Sequence, residues 1–456
     1  MGLALCAAAA AQDETPKFTV LAHPRNHPHP YAGLVQGQNG QLYATTGGGS
    51  GIPGEIFEIT RDGQLTTLDS LSGFSEAGLV LARDGNFYGT NLKGGEYGGG
   101  WLFRVTPFGK MTGVHSFCTE ADCADGEYPS DPLIQGTDGN LYGTTTRGGP
   151  GCTEYAYGCG TFFRITLAGE ITTLYTFCLQ DGCLDGEDPN GPIVQAGDGN
   201  FYGTANGGGA GRAGTIYRLT PSGDFTLLYT FCTQPGCPDG SCPWGLALGP
   251  DGALYGATQS PATVFKITLD GTFKLLATLC PGPDCGFAYA PPVPATDGNL
   301  YGTTATGGEN HAGTIYRITT SGELTRLYSF CSLQDCEDGG DPMGPMMQAT
   351  DGNLYGTTYG AGPNIGSIYR LSLGLAPFVT PVPAFGNPGQ QVWILGDNLT
   401  GATAVSFNGT PAASFTVNAT GSAITATVPD GATTGPIHVT LANGATLRSN
   451  VPFKLE

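Results

Sequence analysis

The sequence has few charged residues, and basic residues are the scarcer kind. Of 456 residues only 12% are charged, with 18 Lys and Arg against 38 Asp and Glu, and the formal net charge is −20. Binding to a nucleic acid backbone needs clustered Lys and Arg, so we expect no nucleic acid partner. The acidity is typical of a protein kept soluble outside the cell, and cation binding is the alternative explanation.

Helical periodicity and long apolar runs are also missing, which argues against a helical fold and leaves no candidate for a transmembrane helix. One short apolar run, Leu3 to Ala11, ends in small residues, although no basic region precedes it. We interpret residues 1–12 as the remnant of a signal peptide. Cys6 is an alternative site of lipid attachment, but Leu5 before it is large for that motif.

Glycine and proline are abundant, with 76 Gly and 33 Pro, and this composition indicates a folded, turn-rich β protein. The segment Asp351 to Thr358, DGNLYGTT, has close copies along most of the chain. The tyrosines of these copies are Tyr43, Tyr88, Tyr142, Tyr202, Tyr255, Tyr301 and Tyr355, which are 45 to 60 residues apart. A repeat of this period indicates an array of small structural units.

Each unit contains four short stretches of alternating polarity separated by Asp-Gly, Gly-rich and Ser-Gly turns, which predicts four antiparallel strands. Seven such units predict a seven-bladed β-propeller over residues 13–375. The seventh unit lacks its last strand, and Lys17 to Leu21 supplies that strand from the other end. We therefore expect a closed ring; an open β-solenoid and a string of separate domains are the alternatives.

The order of the strands also predicts which loops share a face. The Asp-Gly and Ser-Gly turns lie on one face of the ring, and the Gly-rich and cysteine loops, which vary between units, lie on the other. Variable loops on a rigid scaffold are the usual place for recognition.

The pattern changes near Pro377. Residues 376–456 contain alternating stretches such as Val392 to Leu395 and Ile424 to Val428, with turn residues between them. This pattern predicts a second domain, a small immunoglobulin-like β-sandwich.

Cysteine spacing supports export. Six local pairs are Cys118/Cys123, Cys152/Cys159, Cys178/Cys183, Cys232/Cys237, Cys280/Cys285 and Cys331/Cys336. Small loops closed by paired thiols indicate disulfide bonds in an oxidising compartment, whereas zinc would need more ligands than the two sulfurs of each loop. Cys242 is left over and competes with Cys237 for Cys232.

The segments DGNLYGTT, GTIYRIT and LTRLYSF recur together, and through them residues 17–372 resemble the GloVer repeat of exported, often surface-associated bacterial choice-of-anchor proteins. That family is defined by its repeat and not by an activity, so the resemblance implies no catalytic residues. The C-terminal segment resembles an IPT/TIG domain through Gly389, the Phe407 to Thr410 turn, Val428 and Gly435. Such domains serve mostly as interaction or spacer modules.

Two sets of residues are candidates for metal binding. Carboxylates in the cysteine loops suit calcium, the one cofactor that the sequence suggests, although Asp-Gly is also ordinary turn chemistry. These candidates are Asp125, Asp185, Asp188, Asp338 and Asp341. His23, His27 and His29 form the second set, although the prolines between them predict an extended segment that points the imidazoles apart.

Repetition separates structural positions from functional ones, because a site used once need not be copied into every unit. We therefore interpret as structural both the repeated tyrosines and the column Arg104, Arg164, Arg218, Arg317 and Arg370, with Lys266 and Glu58 at the same place. The innermost-strand positions, where propeller enzymes place axial ligands, are uncharged. They are Gln36, Leu81, Gln135, Gln195, Leu248, Pro294 and Gln348, which weakens a metal-dependent enzymatic interpretation.

We predict a non-catalytic, secreted or cell-surface protein whose variable face binds an extracellular glycan or surface protein, with the sandwich as a spacer or second contact. Candidates for sugar stacking or partner anchoring are the loop aromatics Tyr97, Tyr155, Tyr157 and Trp244. The alternative is an extracellular propeller enzyme, a polysaccharide lyase or hydrolase, that uses His27, His29 or His311. A third hypothesis is a self-assembling surface or fibre component.

Overall fold

The computed structural model describes residues 15–24, 29–48, 53–71, 75, 77–150, 159–279, 287–360 and 366–456. Within these ranges the protein is built from β-strands, and its helical segments are the short 3-10 turns Ala121–Cys123, Asp181–Cys183 and Gln334–Cys336. No helix in these ranges is long and apolar enough to cross a membrane.

Seven sheets follow one another along the chain up to Ser372, after an initial strand β1 (Lys17–Ala22). Sheet I contains β2 (Val35–Gln36), β3 (Leu42–Thr46), β4 (Gly54–Ile59) and β5 (Leu65–Leu71). Sheet II contains β6 (Val80–Leu81), β7 (Phe87–Asn91), β8 (Trp101–Val105) and β9 (Met111–Ser116). Sheet III contains β10 (Ile134–Gln135), β11 (Leu141–Thr145), β12 (Thr161–Ile165) and β13 (Ile171–Thr176).

The remaining four sheets repeat this order. Sheet IV contains β14 (Glu187–Pro189), β15 (Val194–Gln195), β16 (Phe201–Gly207), β17 (Thr215–Leu219) and β18 (Phe225–Thr230), with β14 and β15 both paired to β16. Sheet V contains β19 (Pro243–Leu248), β20 (Leu254–Gln259), β21 (Ala262–Ile267) and β22 (Phe273–Thr278). Sheet VI contains β23 (Val293–Pro294), β24 (Leu300–Thr304), β25 (Thr314–Ile318) and β26 (Leu324–Ser329), and sheet VII contains β27 (Met347–Gln348), β28 (Leu354–Thr357) and β29 (Ile368–Ser372).

The first strand of the chain completes the last sheet. β1 pairs antiparallel with β29, with Phe18 opposite Leu371 and Val20 opposite Tyr369. The Phe18 ring also stacks on Tyr328 of sheet VI, with ring centroids 3.9 Å apart. The prediction that the two ends of the repeat array share one sheet is therefore confirmed.

Period-two alternation in the repeat motif explains how neighbouring sheets pack. Successive residues of a strand point to opposite faces of the sheet, so the residue before each repeated tyrosine faces one neighbour and the tyrosine faces the other. Each cluster between neighbouring sheets contains one such pair. The pairs are Tyr43 with Phe87, Tyr88 with Leu141, Tyr142 with Phe201, Tyr202 with Leu254, Tyr255 with Leu300, Tyr301 with Leu354, and Tyr355 with Leu42.

The last of these clusters joins sheet VII to sheet I. Leu42, Phe57 and Ile59 of sheet I are buried against Tyr355 and Ile368 of sheet VII. Because an open row of sheets leaves its two end faces uncovered, this contact shows that the sheets form a closed ring. The chain therefore contains a β-propeller, in which every sheet buries both faces against its neighbours.

The chain after the propeller forms a second β-structure. Its strands are β30 (Thr380–Val382), β31 (Phe385–Gly386), β32 (Gln391–Leu395), β33 (Ala404–Phe407), β34 (Thr410–Pro411), β35 (Ser414–Val417), β36 (Ala423–Thr427), β37 (Ile437–Thr440), β38 (Thr446–Arg448) and β39 (Lys454–Leu455). They form sheets of order β30-β32-β36-β35 and β34-β33-β37-β38, with a parallel pair β31-β39. Ile394, Phe407, Ile424 and Val439 are buried between them, which makes an immunoglobulin-like sandwich.

The connections of the propeller fall on two faces, which we call the hairpin face and the loop face. The hairpin face carries the tight turns between the first and second strands and between the third and fourth strands of each sheet. Gly85 and Gly139 in two of these turns have φ of 85° and 81°, the left-handed conformation that favours glycine. The loop face carries the Gly-rich and cysteine loops.

The sandwich lies on the hairpin face. The carbonyl of Gln38 accepts a hydrogen bond from Ser422 Oγ at 2.7 Å, and Lys454 Nζ donates to the carbonyl of Ala196 at 3.1 Å. Leu395 is 3% exposed and belongs to the apolar cluster between sheets I and II. Since Gln38 and Ala196 follow the innermost strands β2 and β15 closely, the sandwich contacts the hairpin face near the innermost strands of sheets I and IV.

Candidate functional site

The repeated tyrosines serve packing and turn geometry. Each is at most 2% exposed, and the hydroxyl of Tyr202, for example, donates to Asp198 Oδ2 in its own hairpin at 2.7 Å. Tyr202 lies opposite Arg218 in the register of β16 and β17. The tyrosine hydroxyl donates to an aspartate in the other sheets as well, except in sheet I, where Asn39 Nδ2 donates to the Tyr43 hydroxyl, so these positions belong to the scaffold.

The innermost glutamines connect neighbouring sheets. Gln135 Oε1 accepts from the backbone N–H of Arg83 in sheet II, and Gln195 Oε1 accepts from that of Thr137 in sheet III, each at 2.9 Å. Gln36 and Gln348 make the equivalent bonds to Thr350 and Thr296. These amides therefore hold adjacent sheets in register near the axis.

The backbone is strained where the chain approaches the innermost strands on the loop face. Tyr128, Asp188, Cys242 and Asp341 each precede a proline and have φ between 52° and 60°. Residues with side chains rarely adopt this left-handed conformation, and proline further restricts the residue before it. Because the same conformation recurs before the innermost strands of sheets III, IV, V and VII, it belongs to the repeat as a common way for the chain to enter that strand.

One cavity on the loop face has a volume of about 460 Å³ and spans sheets II to IV. Its lining residues are Leu92, Lys93, Tyr128, Ser130, Thr146, Arg147, Asp188 and Asn190. Two of them, Tyr128 and Asp188, have the left-handed backbone conformation before a proline. The lining combines hydroxyl, amide, carboxylate and cationic groups, which suits a polar ligand.

The cavity holds two electrostatic features. The Arg147 guanidinium lies over the Tyr128 ring, 5.2 Å from its centroid. Burial raises the pKa of the Asp188 carboxyl to about 6, against the lowering effects of a hydrogen bond from Asn206 and the charge of Arg147, while Glu187 raises it further. The Asp188 carboxylate is therefore the group of the lining most readily neutralised by mild acid.

An arc of aromatic side chains continues around the loop face. Trp244 of sheet V contacts Tyr289, which leads into sheet VI, edge to face with centroids 5.6 Å apart. Burial raises the pKa of the Tyr289 hydroxyl, and the charge of Asp341 adds to this effect. At the junction of sheets VII and I, Tyr31 lies 4.5 Å from Tyr359.

Three of the five aspartates proposed as calcium ligands are buried and hydrogen-bonded near their own cysteine loops. Asp125, Asp185 and Asp338 are each at most 2% exposed. Each accepts hydrogen bonds near its own cysteine loop: Asp338 Oδ2 accepts from Tyr328 OH and Ser332 N at 2.8 and 2.9 Å. Asp125 likewise accepts from Thr119, and Asp185 from Tyr175. Asp188 lies in β14 of sheet IV, three residues after Asp185, and Asp341 lies three residues after Asp338 in the loop that leads into sheet VII.

The histidine candidates are also engaged locally. His23 Nδ1 lies 3.2 Å from the carbonyl of Gly366, and His29 Nδ1 lies 3.0 Å from that of Tyr359. A carbonyl can only accept, so Nδ1 carries the proton in both rings. His311 is exposed on the β24–β25 loop, and His27 lies outside the described residues.

Four of the six expected cysteine pairs form disulfide bonds in the structure: Cys118–Cys123, Cys178–Cys183, Cys232–Cys237 and Cys331–Cys336. Cys159 is also disulfide-bonded, whereas Cys152, Cys280 and Cys285 lie outside the described ranges. Cys242 is a free thiol, so it does not displace Cys237. In the described part of the chain, the one cluster of three metal-ligand side chains is Cys178, Cys183 and Glu187, and its two sulfurs are already bonded to each other.

Comparison with known proteins agrees with this architecture. The model of the Gloeobacter/Verrucomicrobia repeat matches residues 10–184, 151–262 and 259–391, which together cover most of the chain. The chain belongs to the Gloeobacter/Verrucomicrobia repeat family. An IPT/TIG domain model matches residues 377–455. No curated protein sequence matches the chain.

Several solved structures resemble this repeat-family protein. A streptogramin B lyase is 16% identical with a TM-score of 0.55, covering 80% of this chain and 100% of its own. A catalytically inactive virginiamycin B lyase from Staphylococcus aureus, bound to quinupristin, is 18% identical with a TM-score of 0.54, covering 78% and 99%. A copper-bound fungal alcohol oxidase is 12% identical with a TM-score of 0.54, covering 97% and 100%. At these identities the likeness shows the fold alone.

Within this family architecture, one predicted aromatic residue lies in the arc and another lies outside the cavity and the arc. Trp244 belongs to the arc, whereas Tyr97 is 56% exposed on the β7–β8 loop and does not line the cavity. Tyr155 and Tyr157 lie outside the described residues. The sequence interpretation missed Tyr128 and Tyr289. The feature of the sequence that could have identified them is that each tyrosine lies a few residues before an innermost strand.

Proposed function

We propose that the protein is an exported, non-catalytic binding protein whose loop face holds a glycan. The observation that carries the proposal is the polar cavity of about 460 Å³ on the loop face, next to an arc of half-buried aromatic side chains. Ligand sites are typically concave, with a few well-placed polar groups and aromatic walls. A sugar presents hydroxyl groups to the polar lining and apolar C–H faces to rings such as Trp244 and Tyr289.

The rest of the molecule supports this use of the loop face. The sandwich occupies the hairpin face through contacts such as Ser422 with Gln38, so the loop face is the end of the propeller that it leaves uncovered. The disulfide bonds favour an oxidising compartment, where extracellular glycans are encountered. The sandwich then acts as a spacer or a second contact.

A glycan array probed with the full chain tests the proposal. We expect binding to a defined set of oligosaccharides, and we expect Trp244→Ala to weaken it about fivefold, since an aromatic contact contributes about 1 kcal/mol. Phe108→Ala is the matched control, because Phe108 is 95% exposed on the hairpin face. Equal loss in both variants, or no loss in either, contradicts the proposal.

The same experiment addresses catalysis. Bound oligosaccharide recovered after long incubation is expected to be intact by mass. Cleaved or unsaturated products would instead make the protein a hydrolase or a lyase, and the His29→Ala and His311→Ala variants would then show which loop carries the chemistry.

A further inference from the structure

Building on the proposed glycan function, we infer that the sugar in the loop-face cavity is acidic, with a carboxylate that binds between Arg147 and Lys93. Both residues line the cavity of about 460 Å³. The protein has 18 basic residues against 38 acidic ones, so two cations in one small polar cavity depart from the character of its surface.

Lys93 and Arg147 occupy the same position of the repeat. Each stands five residues after the repeated tyrosine, in sheets II and III respectively. The other sheets have no basic residue there, and the position is filled by Gly48, Gly207, Ser260, Thr306 and Gly360. A structural requirement would be copied around the ring, whereas a basic residue confined to two of the three sheets that line the cavity indicates a local function.

Arg147 is positioned before any ligand arrives. Its backbone N–H donates to the carbonyl of Glu127 at 3.0 Å, and its carbonyl accepts from Glu127 N at 2.8 Å and Thr145 Oγ1 at 2.9 Å. Its guanidinium lies over the Tyr128 ring. A guanidinium on a ring face keeps N–H donors in its own plane for a bidentate pair with a carboxylate. Fixing the arginine in advance lowers the ordering cost of binding.

The single carboxylate of the lining does not oppose this assignment. Asp188 is the group whose burial favours the neutral form, and the groups that act on it are Arg147, Glu187 and Asn206. An anionic ligand entering the cavity favours protonation of Asp188 further, and a protonated Asp188 would donate its O–H to the sugar. In that protonation state the lining presents two cations and no anion.

Titration calorimetry with the full chain tests the charge requirement. The probes are oligomers of galacturonate, glucuronate and mannuronate, each paired with its methyl ester, which keeps the sugar and removes the charge. We expect at least one acidic oligomer to bind at least about tenfold more tightly than its ester. A sulfated galactan tests the other common anion and is expected to bind more weakly.

Substitutions of the two basic residues test whether the cavity recognises the charge of the sugar. Arg147→Gln and Lys93→Gln should each weaken binding of the acidic oligomer about tenfold and leave the ester unchanged, and Arg147→Lys should recover part of the loss. Arg326→Gln is the control, because Arg326 is an exposed arginine paired with Glu309 on sheet VI. Thermal melting of each variant verifies that it is folded.

The outcomes separate this inference from the proposed function. Equal binding of acid and ester, preference for the sulfated probe, or equal loss in Arg326→Gln would overturn the acidic-sugar assignment while leaving glycan binding in place. If neither these oligomers nor any glycan on the array binds, the proposed function itself fails.

Discussion

Phe18 lies opposite Leu371 in the strand pair that joins the two ends of the repeat array, and its ring is parallel to that of Tyr328 within 5°. One phenylalanine thus contributes both to a sheet and to the interface with the preceding sheet. The position of β1 makes the ring dependent on a strand that is remote in sequence from its partner.

Removing this ring should therefore destabilise the whole propeller. We expect Phe18→Ala to lower the free energy of unfolding by about 2 kcal/mol, because a partly buried aromatic ring and its stacking partner are lost. Urea denaturation followed by circular dichroism measures the effect. Phe108→Ala, at a 95% exposed position, should change stability by less than about 0.5 kcal/mol, and equal effects in the two variants would contradict ring closure through β1.

Tyr217, in the third strand of sheet IV, has a hydroxyl group that donates no hydrogen bond within the described residues. The hydroxyl of Tyr217 is buried and has no hydrogen-bond partner among the described residues, and phenylalanine fills the same place in four other sheets, as Phe57, Phe103, Phe163 and Phe265. Tyr217→Phe should leave the protein as stable or more stable by up to about 1 kcal/mol. Tyr202→Phe should instead cost about 1 kcal/mol, because Tyr202 donates to Asp198. Thermal melting of the two variants measures this difference, and an equal loss of stability in both would contradict the different roles of the two hydroxyl groups.

One substitution that introduces a charge should detach the sandwich from the propeller. Leu395 is 3% exposed and belongs to the cluster with Phe87 and Phe103 of the propeller, not to the sandwich core. Leu395→Asp buries an unpaired carboxylate in that contact, so we expect the sandwich to detach while both parts stay folded. Small-angle X-ray scattering should show a larger radius of gyration, with unchanged circular dichroism. Val451→Asp, at a 38% exposed position, should behave as wild type; if the Leu395 variant does so too, the contact is not what holds the sandwich.

The raised pKa of Asp188 leads us to expect a specific dependence of stability on pH. Its pKa is raised to about 6 by burial, so between about pH 4 and 6 the folded protein binds more protons than the unfolded chain. The contribution of Asp188 is therefore most favourable below pH 4 and falls as the pH rises to 6. Asp188→Asn removes this term, so the variant should gain stability relative to wild type between pH 4 and pH 7.

A control with the opposite sign is available. Hydrogen bonds from Ser222 and Thr220 lower the pKa of Asp224, so its contribution is present above the unfolded pKa and lost in acid. Asp224→Asn should lose a small amount of stability relative to wild type at pH 7, and the difference should shrink in acid. A stability difference for Asp188→Asn that is flat with pH would rule out the raised pKa.

Local alternation of polarity and repetition of the motif made the propeller predictable from the sequence. The long-range contacts were not predictable in this way. The residue pair Leu141 and Tyr142 shows from sequence alone that both faces of its sheet are covered. By contrast, nothing near Gln38 signals that Ser422, 384 positions away, binds its carbonyl. The docking of the sandwich depends on three-dimensional fit between two surfaces, which a linear pattern does not encode.

The candidate site was likewise only partly predictable from the sequence. Asp125 and Asp338 are candidate cation ligands by sequence, which does not show that hydroxyl groups in or near their loops donate hydrogen bonds to them. The cavity has a sequence signal only through departures from the repeat. Lys93 and Arg147 stand where other units have small or uncharged residues, but their joint meaning requires knowing that sheets II and III line the same cavity.

A crystal structure of the full chain soaked with its best-binding acidic oligosaccharide would show where the sugar binds. We expect sugar density in the cavity of sheets II to IV, with a carboxylate against Arg147. Density on the sandwich or the hairpin face, with the cavity empty, would contradict this expectation.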